Sequence, residues 1–170
     1  MSSIVVARTA LGELEGRPLT GIGRAATLVW LTFGDEVPWV NHRGEQMVRE
    51  SAVHLQCRWR LIRGAAVLVE AGDLYVPGAC ATAEFAAGNE IGTARFDDRV
   101  AAVAQLVATE EPVVDAVSIG DEFDLQLTLS SGMTLEVFPA GREGWEDWRI
   151  LSSAGGGQHY VVTNGSMFTV

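Results

Sequence analysis

Val53-His54-Leu55-Gln56-Cys57-Arg58-Trp59-Arg60-Leu61-Ile62 alternates apolar and polar side chains from Val53 through Leu61. A strand turns successive side chains to opposite faces. The run therefore predicts one strand with Val53, Leu55, Cys57, Trp59 and Leu61 on a core face and His54, Gln56, Arg58 and Arg60 on a wet one. Arg63-Gly64 then precedes a second apolar segment, Ala65 to Val69, at a spacing that suits a tight hairpin.

Upstream of this strand, Leu19 to Ala25 and Thr27 to Phe33 read as neighbouring strands. A helix over residues 4–15 precedes them, with Val5, Val6, Thr9 and Leu14 near one side. Gly34 to Gly44, which holds Asp35, Glu36, Pro38 and Asn41, reads as a surface loop because these residues favour turns. Downstream, Ala71 to Thr93 is rich in Gly and Ala and contains Pro77, so it reads as a long irregular excursion, a kind of segment that often carries function.

Val100, Val103, Ala104 and Val107 recur at helical spacing, which predicts a helix over 99–108 led by Asp97 and Asp98 and ended by Glu110-Glu111-Pro112. The chain then returns to strands over 113–119, 123–129 and 133–138, with Ser130-Ser131-Gly132 as a turn. Phe123, Leu125, Leu127 and Leu129 share one side, leaving Asp124, Gln126 and Thr128 to solvent. Residues 148–152, 157–163 and 166–170 supply final strands, and Asn164-Gly165 predicts a two-residue hairpin turn at a sheet edge. Consecutive hairpins make antiparallel pairing the economical topology. The expected fold is α+β: a mostly antiparallel curved sheet with one or two helices packed on it, in a single domain over 1–170.

Composition bounds the function. With 12 basic and 22 acidic residues the formal net charge is −10. That charge repels phosphate backbones, so nucleic acid is not an expected partner, and it favours a basic protein in sign. No stretch approaches the roughly 20 apolar residues of a membrane-spanning helix, and Met1 to Arg8 lacks the pattern of a secretory signal. No membrane partner is expected, and the cytoplasm is the expected compartment. Every basic residue is Arg. Schiff-base, P-loop and Ser-Lys chemistries each need an amine that a guanidinium cannot replace, so none of them is expected.

Several constellations hold residue types that can carry chemistry. Cys57 and Cys80 are expected to be free thiols, with Cys57 in the core. His42, His54, His159 and the two cysteines are zinc-type ligands, but His54 and Cys57 stand three apart on a strand and so point to opposite faces, and no metal or other cofactor is expected. Asp97-Asp98, Glu110-Glu111 and Asp121-Glu122 read as helix ends and turns, and Ala154-Gly155-Gly156-Gly157 as a flexible connection that lacks the lysine and helix of a phosphate loop. Trp145-Glu146-Asp147-Trp148-Arg149 reads as packing, unless a tryptophan proves exposed and so marks an interface. The candidate ligand-binding residues are His54, Gln56, Arg58 and Arg60, a row able to recognise a carboxylate or to pair across the sheet with Asp124 or Glu136.

Ala52 to Arg60, with Gly23-Arg24-Ala25 and Leu31-Thr32-Phe33-Gly34 upstream and Glu146-Asp147-Trp148-Arg149 downstream, resembles a family of small uncharacterised bacterial proteins. The likeness runs from about Gly16 to Val162. It implies a bacterial, intracellular protein and brings no activity or residue roles with it. Two functions therefore stand as expectations. One is a non-enzymatic binding protein that captures a basic protein partner in an immunity-like role, as a monomer or a homodimer paired along an edge strand. The other is a small-molecule binder or enzyme that uses the 54–60 face under a lid formed by 71–93.

Overall fold

Alternation along 53–62 sets burial as expected at most positions: Val53, Leu55, Trp59 and Leu61 are buried and Gln56 and Arg58 are exposed, whereas Cys57, expected in the core, is only partly buried against it. The strand itself does not continue. In the computed structural model, which describes residues 3–88, 90–153 and 157–170, it breaks at Gln56–Cys57 into the end of one strand and the start of another. Helix α1 (Ser3–Gly12) is followed by β1 (Leu19–Ala25), β2 (Leu28–Asn41), β3 (Gly44–Leu55), β4 (Arg58–Arg63) and β5 (Ala66–Glu70). A short 3-10 helix (Ala71–Tyr75) and α2 (Arg95–Glu110) come next. The chain ends with β6 (Val114–Ile119), β7 (Leu125–Leu129), β8 (Met133–Phe138), β9 (Glu146–Ser152), β10 (His159–Thr163) and β11 (Ser166–Thr169).

The strands form a six-stranded sheet in the order β1-β2-β3-β9-β10-β11 and a five-stranded sheet in the order β5-β4-β8-β7-β6. Neighbours pair antiparallel in both. The α+β, antiparallel expectation holds, with two helices and with the strands divided between two sheets. The break at Gln56 is where the chain passes between them. Leu55 still pairs with Trp148 on β9, Arg58 already pairs with Phe138 on β8, and the Gln56 N–H donates to the Asp147 carbonyl at 2.8 Å. Leu31, Val53, Trp148 and Ile150 of one sheet join Trp59, Leu127 and Leu135 of the other in one buried cluster, and Trp59 meets Phe96 of α2 edge to face at 6.2 Å. No helix among the described residues is long and apolar enough to cross a membrane.

Three local readings change. Residues 34–44 do not form a loop: β2 and β3 run on as a long hairpin arm that turns at His42–Arg43. Gly34, at φ +80°, and a register shift between Phe33 and Glu36 mark a bulge where the sequence had signalled a break. Pro38 is tolerated because β1 pairs only with Leu28 to Phe33, which leaves the rest of β2 as an edge strand. In α1 the buried side is Ala7, Ala10 and Leu11, continued by Leu14 beyond the helix, while Val5 and Thr9 are exposed. In α2, Phe96 joins the buried side in place of Ala104.

The turns read from sequence are present. Asn164 and Gly165 both have positive φ, at 48° and 64°, as the hairpin turn requires, and β11 lies at the sheet edge. Asp97 and Asp98 act at the start of α2. The Asp97 carboxylate accepts the Gly92 and Ala94 N–H groups and takes the buried Arg24 guanidinium in two bonds, Nε–Oδ1 at 2.8 Å and Nη2–Oδ2 at 2.7 Å. Those guanidinium bonds hold the carboxyl below its usual range. Asp98 Oδ2 accepts the Ala79 N–H at 2.8 Å, tying the excursion to the helix.

Candidate functional site

The four candidate residues do not form one row, because the chain changes sheets between them. His54 stays on the six-stranded sheet, flanked in register by Trp30 and Arg149, on the face opposite the core residues Val53 and Leu55. Gln56 sits at the crossing, and Arg58 and Arg60 lie on the five-stranded sheet. Arg60 pairs with its cross-strand neighbour: its Nε donates to Glu136 Oε2 at 2.5 Å. Arg58 has no acidic partner among the described residues, and its guanidinium lies over the Phe138 ring at 5.1 Å from the centroid. A cation–π contact of that kind helps to hold a guanidinium in place while leaving its N–H groups able to donate.

Gln56 and Arg58 open onto a cleft of about 470 Å³ where the 3-10 helix faces the loop between β8 and β9. Tyr75 lines it from the helix, and Arg142 and Trp145 line it from the loop. This volume falls in the roughly 300–1,000 Å³ range of small-molecule sites. Of the 71–93 excursion, Ala71 to Tyr75 supplies a wall of the cleft. Arg95 N bonds to Val76 O, Gly78 N to Thr93 O, and Ala79 N to Asp98, so the stretch from Val76 to Ala79 is held at the start of α2.

Two buried carboxylates fix the walls. Asp73, 0% exposed, accepts Arg95 Nε at 2.5 Å, Arg99 Nη1 at 2.9 Å and the Glu70 N–H at 2.9 Å, which anchors the 3-10 helix that ends in Tyr75. Asp147, also buried, accepts the Ala140 N–H at 2.8 Å and the Gly141 N–H at 3.2 Å, which anchors the loop at its start. Further along that loop, Trp145 N donates to Arg142 O at 3.2 Å, and Thr163 Oγ1 donates to Trp145 O. Both walls are thus held before any ligand arrives.

Reactive groups around the cleft are occupied. Burial, with Asp147 adding to it, pushes the Cys57 thiol up to about 12, so it stays protonated and non-nucleophilic at neutral pH. Cys80 is exposed, and both cysteines are free thiols. Glu146 is engaged by Arg149 Nε at 2.6 Å. Among the described residues no three His, Cys, Asp or Glu side chains converge as metal ligands would. Ala154 to Gly156 of the glycine run lie outside the described residues, and Gly157 packs against the Trp39 ring.

His54 and His159 border Arg149 on the six-stranded sheet, and both have a pKa below the usual 6.5. Burial is the first cause for each and the Arg149 charge the second, while Glu146 opposes the shift. A histidine held neutral in the folded state is protonated more readily when unfolded, so its contribution to stability is lost as pH falls through the unfolded value. The melting temperature is expected to drop between pH 7.5 and 5.5, above the range where ordinary carboxylates titrate, and the H54Q/H159Q variant should flatten that drop. An identical profile in the variant would show that neither ring contributes.

Of the four residues singled out from the sequence, Gln56 and Arg58 line the cleft, while Tyr75 and Arg142, which also line it, carry no signal of their own in the sequence. The usable signal was Trp145, whose exposure of 69% meets the condition under which it marks an interface. No protein-family model, curated protein or solved structure matches the chain.

Proposed function

We propose that this is a non-enzymatic binding protein that takes an anionic group into the cleft at the sheet crossing. One observation carries the reading. Among the described residues eight arginines stand in ion pairs, yet Arg58 and Arg142, which share the cleft, have no acidic partner. In a chain with a net charge of −10, two guanidiniums without an ion pair beside the Gln56 amide make a local site for an anion that the molecule elsewhere repels. A binding role suits the cleft better than catalysis because its thiol is protonated and its carboxylates hold other groups.

The test is a thermal-shift panel of sodium acetate, benzoate and phosphate against matched chloride, on the wild type and on R58Q/R142Q. A ligand present at about 100 times its Kd stabilises by about 2.7 kcal/mol, a rise in Tm of about 5–10 °C for a chain of this size. At least one carboxylate is expected to raise the wild-type Tm and to leave the variant unmoved. If no member of the panel stabilises the wild type, or the variant responds equally, the reading fails.

A basic protein partner in an immunity-like role, the reading favoured by overall charge, would meet a different surface. Asp121 and Glu122 are exposed between β6 and β7, without an ion pair among the described residues. Such a partner would bind in a salt-sensitive manner.

A further inference from the structure

We infer that the cleft selects a flat aromatic ring bearing a single carboxylate. This rests on the anion-binding reading above and adds the ring and the charge number to it. The ring is argued from Tyr75 and Trp145. They are 62% and 69% exposed, whereas Trp59 and Trp148 are buried. Both exposed rings line the same cleft as the two arginines that have no ion pair among the described residues. Exposed aromatic faces on anchored backbone lose little conformational freedom on binding a planar partner, which makes them suited to stacking. Their backbones are anchored: Asp73 fixes the turn before Tyr75, and Trp145 is hydrogen-bonded through both its N–H and its carbonyl.

The charge number follows from the cleft's own groups. Glu146 is met by Arg149, and Asp147 remains as one carboxylate against the guanidiniums of Arg58 and Arg142. One positive charge is left over, which matches a monoanion and not a phosphate dianion. Arg58, with its guanidinium over the Phe138 ring, and Arg142, on the facing loop, approach the cleft from different elements. A carboxylate entering with its ring toward Tyr75 and Trp145 would satisfy both kinds of contact at once.

The experiment is equilibrium titration followed by tryptophan fluorescence and calorimetry, with 2-naphthoate, cyclohexanecarboxylate and inorganic phosphate as probes. The full chain is used as wild type, as Y75A/W145A and as R58Q/R142Q, each checked for an unchanged circular dichroism spectrum. Wild type is expected to bind 2-naphthoate at least about tenfold more tightly than either other probe, in line with what aromatic stacking contributes. Y75A/W145A should lose that tenfold preference while retaining weak carboxylate binding, and R58Q/R142Q should lose binding of both carboxylates. Equal affinity for naphthoate and cyclohexanecarboxylate overturns the aromatic inference and leaves an anion site. Tighter binding of phosphate overturns the monoanion assignment. Naphthoate binding that survives R58Q/R142Q overturns the anion reading beneath it, and no binding of any probe overturns both.

Discussion

Asp73→Ala is expected to lower the stability of the fold by about 3 kcal/mol, the lower end of the range for removing one member of a buried ion pair. Asp73 is wholly buried and takes three donors, two guanidiniums and the Glu70 N–H. The lower end applies because the Arg95 and Arg99 side chains are 40% and 35% exposed and can swing into water once the carboxylate is gone. The reverse change is worse. In R95Q/R99Q the charge left behind is the buried one, with the Glu70 N–H as its remaining hydrogen bond, so that variant should lose more than Asp73→Ala does. For a chain of this length 3 kcal/mol corresponds to about 6–12 °C in Tm. Urea unfolding of the two variants beside wild type checks both the size and the order. A loss below about 0.5 kcal/mol for Asp73→Ala, the level of an ordinary surface change, would mean that the triad does not anchor the 3-10 helix.

Nothing local in the sequence around Asp73 announces this role. Asp73 belongs to Ala71-Gly72-Asp73-Leu74, a stretch that reads as the start of an irregular segment, and its partners Arg95 and Arg99 lie on α2. Local periodicity reveals which face of an element is apolar. It does not reveal which polar residues meet across elements. The same limit explains the readings that changed. From Val53 to Leu61 the alternation is unbroken, so no periodic signal marks the place at Gln56 where the chain leaves one sheet for the other. Whether a strand continues there depends on its neighbours, since β9 ends its pairing with β3 at Leu55 and β8 begins pairing with β4 at Arg58. Gly34 and Pro38 gave true signals of local irregularity, and a bulge on an edge strand uses the same residues as a loop. The turns at Gly64, Gly132 and Asn164-Gly165 were legible because their chemistry is local.

The candidate site divides along the same line. Gln56 and Arg58 could be read as solvent-facing from the alternation, and Arg60 could be read as a partner for Glu136, which it is. His54 could be placed on the correct face but not on the correct sheet. Arg142 lies in Gly141-Arg142-Glu143-Gly144, where every cue describes a turn, and it reaches the cleft because Asp147 holds the start of that loop.

That dependence makes Asp147→Ala the sharper test of how the cleft is built. The change removes the acceptor for the Ala140 and Gly141 N–H groups. Both residues are exposed and can turn those groups to water, so the stability cost should stay near the low end of about 1–3 kcal/mol. The loop should lose its anchor even so, and affinity for 2-naphthoate is expected to fall about tenfold, comparable with losing the aromatic contacts themselves. A second readout separates loss of the charge from general loosening. The Asp147 charge helps to raise the Cys57 thiol, after burial, to about 12. In a C80S background, Asp147→Ala should bring the Cys57 alkylation pKa below that of the parent, yet keep it above the ordinary 9.0 because burial remains the larger cause. A value at or below 9.0 would mean that the crossing has opened to solvent and that the affinity loss reflects local unfolding. An unchanged thiol pKa together with an unchanged affinity would mean that Asp147 neither charges the cleft nor holds its wall.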